Sequence, residues 1–165
     1  MSDIIPIRAF DGDPAAAWRA ALDAAEPLFL PAKVHVDDRG WSIMNQLRGV
    51  LAPEGQVNFS LQNPGVIKAW HRHKLQTDFW LCVLGSLKVG VHRESDGRSW
   101  SLVFGQMKPG IVIIPPTLWH GAATLGRDPA GLVYYVTRAY DPAAPDEERR
   151  AFDSVPGFSW DVENR

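Results

Sequence analysis

The sequence predicts an all-β fold, two antiparallel sheets stacked as a sandwich or closed as a barrel. Three observations carry that expectation. From residue 33 onward the chain is a series of short apolar or alternating runs, which is how half-buried strands read. Gly, Pro, Asn and Asp cluster between the runs at hairpin-like spacing. Before the polar tail only one stretch has the texture of a helix, and it precedes the strands, so crossover βαβ units are not expected.

That helix starts at Asp13-Pro14, where Asp suits the N-cap and Pro the first helical position. AAAWRAALDAAE is rich in helix formers, Trp18, Leu22 and Ala25 are expected to share one face, and Pro27 stops it. The strand runs follow as KVHVDD, GWSIMNQL, QVNFSLQ, GVIKAWH, DFWLCVLGSLKVGVHR, SWSLVFG, GIVIIP and GLVYYVTRAY. Hairpin turns are expected at DDRG, APEG, SDGR and GRDPAG. After Tyr140 the chain turns polar and Pro-rich. A short helix is expected around Pro145 to Phe152, its DEERR run forming a solvated face.

At 165 residues the chain is long enough for one domain with a full core. A net charge of -2, from 17 Lys+Arg against 19 Asp+Glu, offers no basic footprint, so nucleic acid is not an expected partner. The single cysteine, Cys82, lies in an apolar run and is read as a small buried hydrophobe. One cysteine forms no disulfide within the chain, and no stretch reaches the apolar length of a membrane span. With no leader-like segment at the N-terminus, the expectation is a soluble cytoplasmic protein.

The chemistry concentrates in KAWHRHKLQTDFW, Lys68 to Trp80. In a strand, His71 and His73 project to the same side, toward one space. Their segment reads Gly65, five residues, His71, one residue, His73, four residues, Asp78, six residues, Gly85. A second segment reads Gly110, four residues, Pro115, and then Trp119-His120-Gly121, with Thr117 between. His35 and His92 lack such company and are read as surface or edge residues.

These two segments resemble the paired motifs of the cupin superfamily, with Asp78 where that motif has Glu and Thr117 where it has Gly. The resemblance implies a double-stranded β-helix, the cupin jelly roll. It would carry an N-terminal helical extension over 1–32, a core over 33–140 and a C-terminal tail over 141–165. It also implies a divalent metal held by His71, His73, Asp78 and His120. Imidazoles and a carboxylate suit such an ion, with zinc or iron the first choices.

A narrower resemblance runs from about Val36 to Trp160. Asp37-Asp38-Arg39-Gly40, QVNFSLQN, Lys68-Ala69-Trp70-His71, Pro115 to Gly121, Tyr134 to Tyr140, and Asp153 with Phe158-Ser159-Trp160 occur in one order. That order is similar to the dTDP-4-dehydrorhamnose 3,5-epimerase family. The resemblance implies an isomerase that epimerises a nucleotide-linked 4-keto-deoxy sugar and needs no cofactor. His71 would be the base, Asp153 its orienting partner and Tyr134 the acid on the opposite face. Arg39, Asn63 and Lys68 would hold the nucleotide and diphosphate, with Trp119 and Tyr140 completing the substrate site. The family's lysine at the head of the next strand falls on Asp78 here, and a bound cation could take over its enolate-stabilising role.

Histidine suits proton abstraction next to a ketone because its ordinary pKa lies near neutrality. A metal-dependent oxidoreductase, such as an iron dioxygenase, and a non-catalytic sugar-binding cupin are the alternatives. Exposed sheet edges and the family resemblance both imply a homodimer.

Overall fold

The computed structural model describes residues 4–162. In chain order the elements are β1 (Ile5–Pro6), β2 (Arg8–Ala9), α1 (Pro14–Ala24), β3 (Leu28–Pro31), β4 (Val34–Asp37), β5 (Gly40–Ile43), β6 (Gln56–Gln62) and β7 (Ile67–Arg72). They continue as β8 (Asp78–Leu84), β9 (Ser86–Arg93), β10 (Arg98–Gly105), β11 (Gly110–Ile114), β12 (Trp119–Leu125), β13 (Ala130–Val136) and β14 (Glu148–Arg149). Two six-stranded sheets result, in the orders β1-β10-β9-β12-β7-β14 and β2-β3-β11-β8-β13-β6. The β4–β5 hairpin pairs with neither. This is the expected two-sheet β architecture, the cupin jelly roll.

From β6 onward every connection but β9–β10 crosses between the sheets, and glycine makes one of the tightest crossings possible. The run DFWLCVLGSLKVGVHR is split at Gly85, whose φ of 66° is left-handed, so β8 enters one sheet and β9 the other. A side chain on Gly85 would also meet the carbonyl oxygen of Pro129 at 2.6 Å. GRDPAG is likewise a crossing rather than a hairpin, since β12 and β13 lie in different sheets. The DDRG and SDGR turns do close hairpins, β4–β5 and β9–β10.

Three apolar clusters hold the layers. Between the sheets, Leu87, Val89 and Val91 of β9 meet Trp80, Cys82, Val112 and Leu132. Cys82 is thus a buried hydrophobe, as expected. Outside the second sheet, α1 packs on Leu28, Phe79, Ile111 and Tyr135. Outside the first sheet, the C-terminal tail lays Val155, Phe158 and Trp160 over Trp70 and Trp119.

Several expectations are corrected. Asp13 does cap α1, accepting from Ala16 N at 2.8 Å, but the buried face is Ala17 and Ala21 and Leu22 is exposed. Alanines let the helix approach the sheet closely, and Trp18 reaches sideways to Thr77 and Phe79. Strands β3 and β12 arise from PLFLP and WHGAATL, which carry no alternation that marks a strand. The expected helix at Pro145 to Phe152 is instead a strap with the short strand β14, because Trp70 and Arg150 exchange both backbone hydrogen bonds. His92 is buried against Ser99 Oγ rather than at the surface. Among the described residues, no helix is long and apolar enough to cross a membrane.

Candidate active site and metal centre

Strand β6 reverses the usual polarity of a half-buried strand. Its apolar residues Val57, Phe59 and Leu61 face outward and are exposed. Its polar residues Gln56, Asn58, Ser60 and Gln62 line a cavity of about 700 Å³ between the sheets. A polar wall inside a jelly roll has no use in packing, so it marks a binding site.

The opposite wall is β7, and a bulge sets what it presents. His71 pairs with His120, yet Lys68, three residues earlier, pairs with Ala122, only two residues later. The extra residue turns both Lys68 and His71 into the cavity, while the Trp70 side chain joins the tail outside. Gly121 permits this geometry: a Cβ there would lie 2.3 Å from the Ala69 Cβ and 2.7 Å from the Lys68 carbonyl oxygen. Lys68 Nζ reaches across to Ser60 Oγ at 2.8 Å, joining the two walls.

At one end of the cavity His71, His73, Asp78 and His120 converge, each offering a ligand atom within 4.8 Å of the others. Two of the rings have fixed orientations. His120 Nδ1 donates to the Leu118 carbonyl at 2.8 Å and His73 Nδ1 to the Asp146 carbonyl at 2.6 Å, leaving each Nε2 with a free lone pair. The Asp78 carboxylate accepts from Gln76 Nε2 at 2.7 Å and from Trp80 Nε1 at 3.1 Å. His120 Nε2 is fully buried without a hydrogen-bond partner, 3.5 Å from Asp78 Oδ2. An orphaned buried nitrogen facing a carboxylate is what a divalent cation satisfies, and backbone carbonyls behind the rings are the usual outer support of such ligands. The residues present therefore fit a metal.

Charge in this end is strongly set by burial. Desolvation, reinforced by the neighbouring His120 ring, pushes His71 well below its ordinary range against the pull of Asp78, so the ring is neutral at pH 7. Burial alone would raise Asp78, but its contact with His120 and the three surrounding imidazoles outweigh that and hold its carboxyl at about 2. Burial, with the Asp78 and Glu147 charges, raises Tyr134 and keeps the phenol protonated.

Of the residues expected from the sequence, His71, His73, Asp78, Lys68, Tyr134 and Tyr140 line this cavity, with His120 closing the cluster. Four others do not. Asp153 is exposed in the tail outside the first sheet, and Asp78 is the carboxylate beside His71. Arg39 lies on the β4–β5 hairpin, paired with Asp37. Asn63 is exposed in the turn after β6. Trp119 is on the outer face, with the guanidinium groups of Arg72 and Arg150 over its ring at 4.5 and 4.1 Å. The inward residues of β6, together with Gln76, Arg138, Glu147 and Arg149, were not singled out from the sequence. The polar i, i+2 series in QVNFSLQ is the signal that could have found the first of these.

Fold and site together define a cupin whose cavity ends in a histidine-carboxylate cluster. The chain belongs to the family described as polysaccharide biosynthesis C-terminal domain, whose model matches residues 35–148. It is 33% identical over 139 residues to the spore coat polysaccharide biosynthesis protein SpsL of Bacillus subtilis, covering 79% of this chain and 92% of that one. It is 34% identical over 112 residues to a probable low-salt glycan biosynthesis epimerase of Haloferax volcanii, covering 64% and 72% of the two chains. The fold is shared with a dTDP sugar isomerase from Desulfovibrio desulfuricans, with a TM-score of 0.72, 23% identity and coverage of 81% and 90%.

Proposed function

We propose that this protein is an isomerase that epimerises a nucleotide-linked 4-keto-deoxy sugar by removing a proton next to the ketone. The observation that carries the proposal is His71: a half-buried, neutral imidazole facing the cavity, with neither ring nitrogen hydrogen-bonded to protein among the described residues. It differs in this from His73 and His120, whose outer nitrogens are tied to carbonyls. The names of the relatives, epimerase and isomerase, support this reading over an oxidoreductase.

In the proposed reaction a ring nitrogen of His71 takes the proton from the carbon beside the ketone. The carboxylate of Asp78 stabilises the imidazolium that forms. Tyr134, protonated and on the facing sheet, returns a proton to the same carbon from the other side, inverting it. Lys68, Arg138 and Arg149 supply positive charge along the cavity for the diphosphate.

His73, Asp78 and His120 would hold a divalent metal, zinc or iron, leaving His71 free as base. Such an ion, when bound, supplies Lewis acidity toward the ketone oxygen. The assembly we propose is a homodimer formed through β6, an edge strand with an exposed apolar outer face, and the unpaired β4–β5 hairpin. The lone cysteine and the sugar-nucleotide substrate fit a cytoplasmic site of action.

The test is solvent deuterium exchange into a dTDP- or UDP-linked 4-keto-6-deoxy sugar, followed by mass spectrometry. Exchange that disappears in His71→Ala supports the assignment. No exchange into either nucleotide sugar by the wild-type protein would sink it.

A further inference from the structure

His73 sits just past the end of β7; its own carbonyl accepts from the Thr117 N–H at 2.6 Å, but the turn that follows it has no ladder hydrogen bonds. Yet this turn is held from outside. The backbone N–H groups of Lys74, Leu75 and Gln76 converge on the Asp146 carboxylate at 2.9, 2.9 and 3.3 Å. The carbonyl of the same Asp146 accepts the His73 Nδ1 proton at 2.6 Å. One residue thus grips both the turn that carries His73 and the outer nitrogen of its ring.

We propose that Asp146 is a positioning residue for His73. It selects the tautomer protonated on Nδ1 and keeps Nε2 aimed at Asp78 and His120. This rests on the metal reading of the site for its purpose, though not for its geometry. The physical reason is that a neutral imidazole carries one proton, and a strong acceptor at Nδ1 decides which nitrogen keeps it. Losing the carboxylate frees the turn, and the carbonyl then no longer stays at hydrogen-bond distance from the ring. A control is built into the same strap. Glu148 pairs with Arg72 and Lys74 at 2.7 and 3.0 Å, tying strap to turn without touching either nitrogen of His73.

The first experiment is nitrogen-15 NMR of the histidine side chains in metal-free protein. The wild type and Glu148→Gln are expected to show His73 protonated on Nδ1, and Asp146→Ala to show it shifted to Nε2 or averaged. The second is a zinc titration followed by calorimetry. Asp146→Ala is expected to bind zinc about 10- to 100-fold more weakly than wild type. The double variant Asp146→Ala/His73→Ala should bind no more weakly than His73→Ala alone. An unchanged His73 tautomer in Asp146→Ala, or losses that add in the double variant, overturns the proposal. If the wild type takes up no zinc, the metal centre falls while the NMR result still decides the role of Asp146. Should Asp146→Ala fail to fold, Asp146→Asn keeps one acceptor oxygen and must show an intermediate tautomer population.

Discussion

The Oδ2 atom of Asp78 and the Nε2 atom of His120 face each other at 3.5 Å, and both side chains are almost sealed from solvent. That spacing is long for a hydrogen bond and leaves room for an ion coordinated by both. With His73 beside them, three ligands are held ready by their own hydrogen bonds.

The division of labour among the histidines is therefore measurable. Metal analysis of purified His73→Ala and His120→Ala should show zinc or iron largely lost, whereas His71→Ala should retain it and lose exchange activity by about 10²- to 10⁴-fold. Retention of activity after chelation would take the metal out of the chemistry. Loss of metal from His71→Ala would make His71 a ligand instead of the base.

Thr117 occupies a left-handed backbone conformation, φ 71°, at the position where the cupin motif has glycine. The loop holds that backbone through the Thr117 N–H, which donates to the His73 carbonyl at 2.6 Å. A β-branched residue is strained there, and glycine costs more entropy in the unfolded chain. The first effect is the larger, so Thr117→Gly should stabilise the fold by about 1 kcal/mol in a urea melt.

Trp160 packs with Trp70 at a ring-centroid distance of 4.8 Å, and the indole N–H of each donates to the Phe152 carbonyl. Trp160→Ala removes a large ring and a buried donor together, with an expected cost of about 3–5 kcal/mol. Denaturant unfolding of the two proteins measures it. A cost under 1 kcal/mol would mean that the tail is not part of the cooperative fold.

His92 gives stability a pH dependence unconnected with the site. Burial, aided by the Arg150 charge, depresses its pKa below the ordinary value. The unfolded chain therefore binds a proton first as pH falls. The contribution is fully present above the unfolded pKa near 6.5 and declines as pH drops below it toward the folded value. The Tm difference between pH 8 and pH 5 should be smaller in His92→Gln than in the wild type.

The outward row of Val57, Phe59 and Leu61 predicts the assembly state. Phe59→Lys should convert a dimer to a monomer in light scattering while leaving the inward wall of β6 untouched. A wild type that is monomeric at micromolar concentration would remove this interface.

Much of the fold was legible because turns and alternation are local signals. Asp13-Pro14, DDRG and SDGR each specify a structure within four residues. The strands that escaped notice, β3 and β12, are buried on both faces or rich in small residues, so they show no period-two pattern. At the site, the motif spacing identified the four residues of the cluster because His71 and His120 pair on neighbouring strands, His73 follows directly, and Asp78 opens β8 of the facing sheet. Asp153, Arg39, Asn63 and Trp119 lie off this cavity for a different reason. Their assignment followed order along the chain, and order does not reveal which side of a sheet a residue faces. The β7 bulge shows how easily that side is lost, since strict alternation would set Lys68 and His71 on opposite faces.

The same bulge has an evolutionary consequence. Trp70 anchors the tail on the outside, and His71, the next residue, faces the cavity. Substitutions that loosen Val155, Phe158 or Trp160 therefore act one peptide bond away from the cavity histidine. Across lineages of this protein the tail tryptophan and the cavity histidine should be retained or lost together.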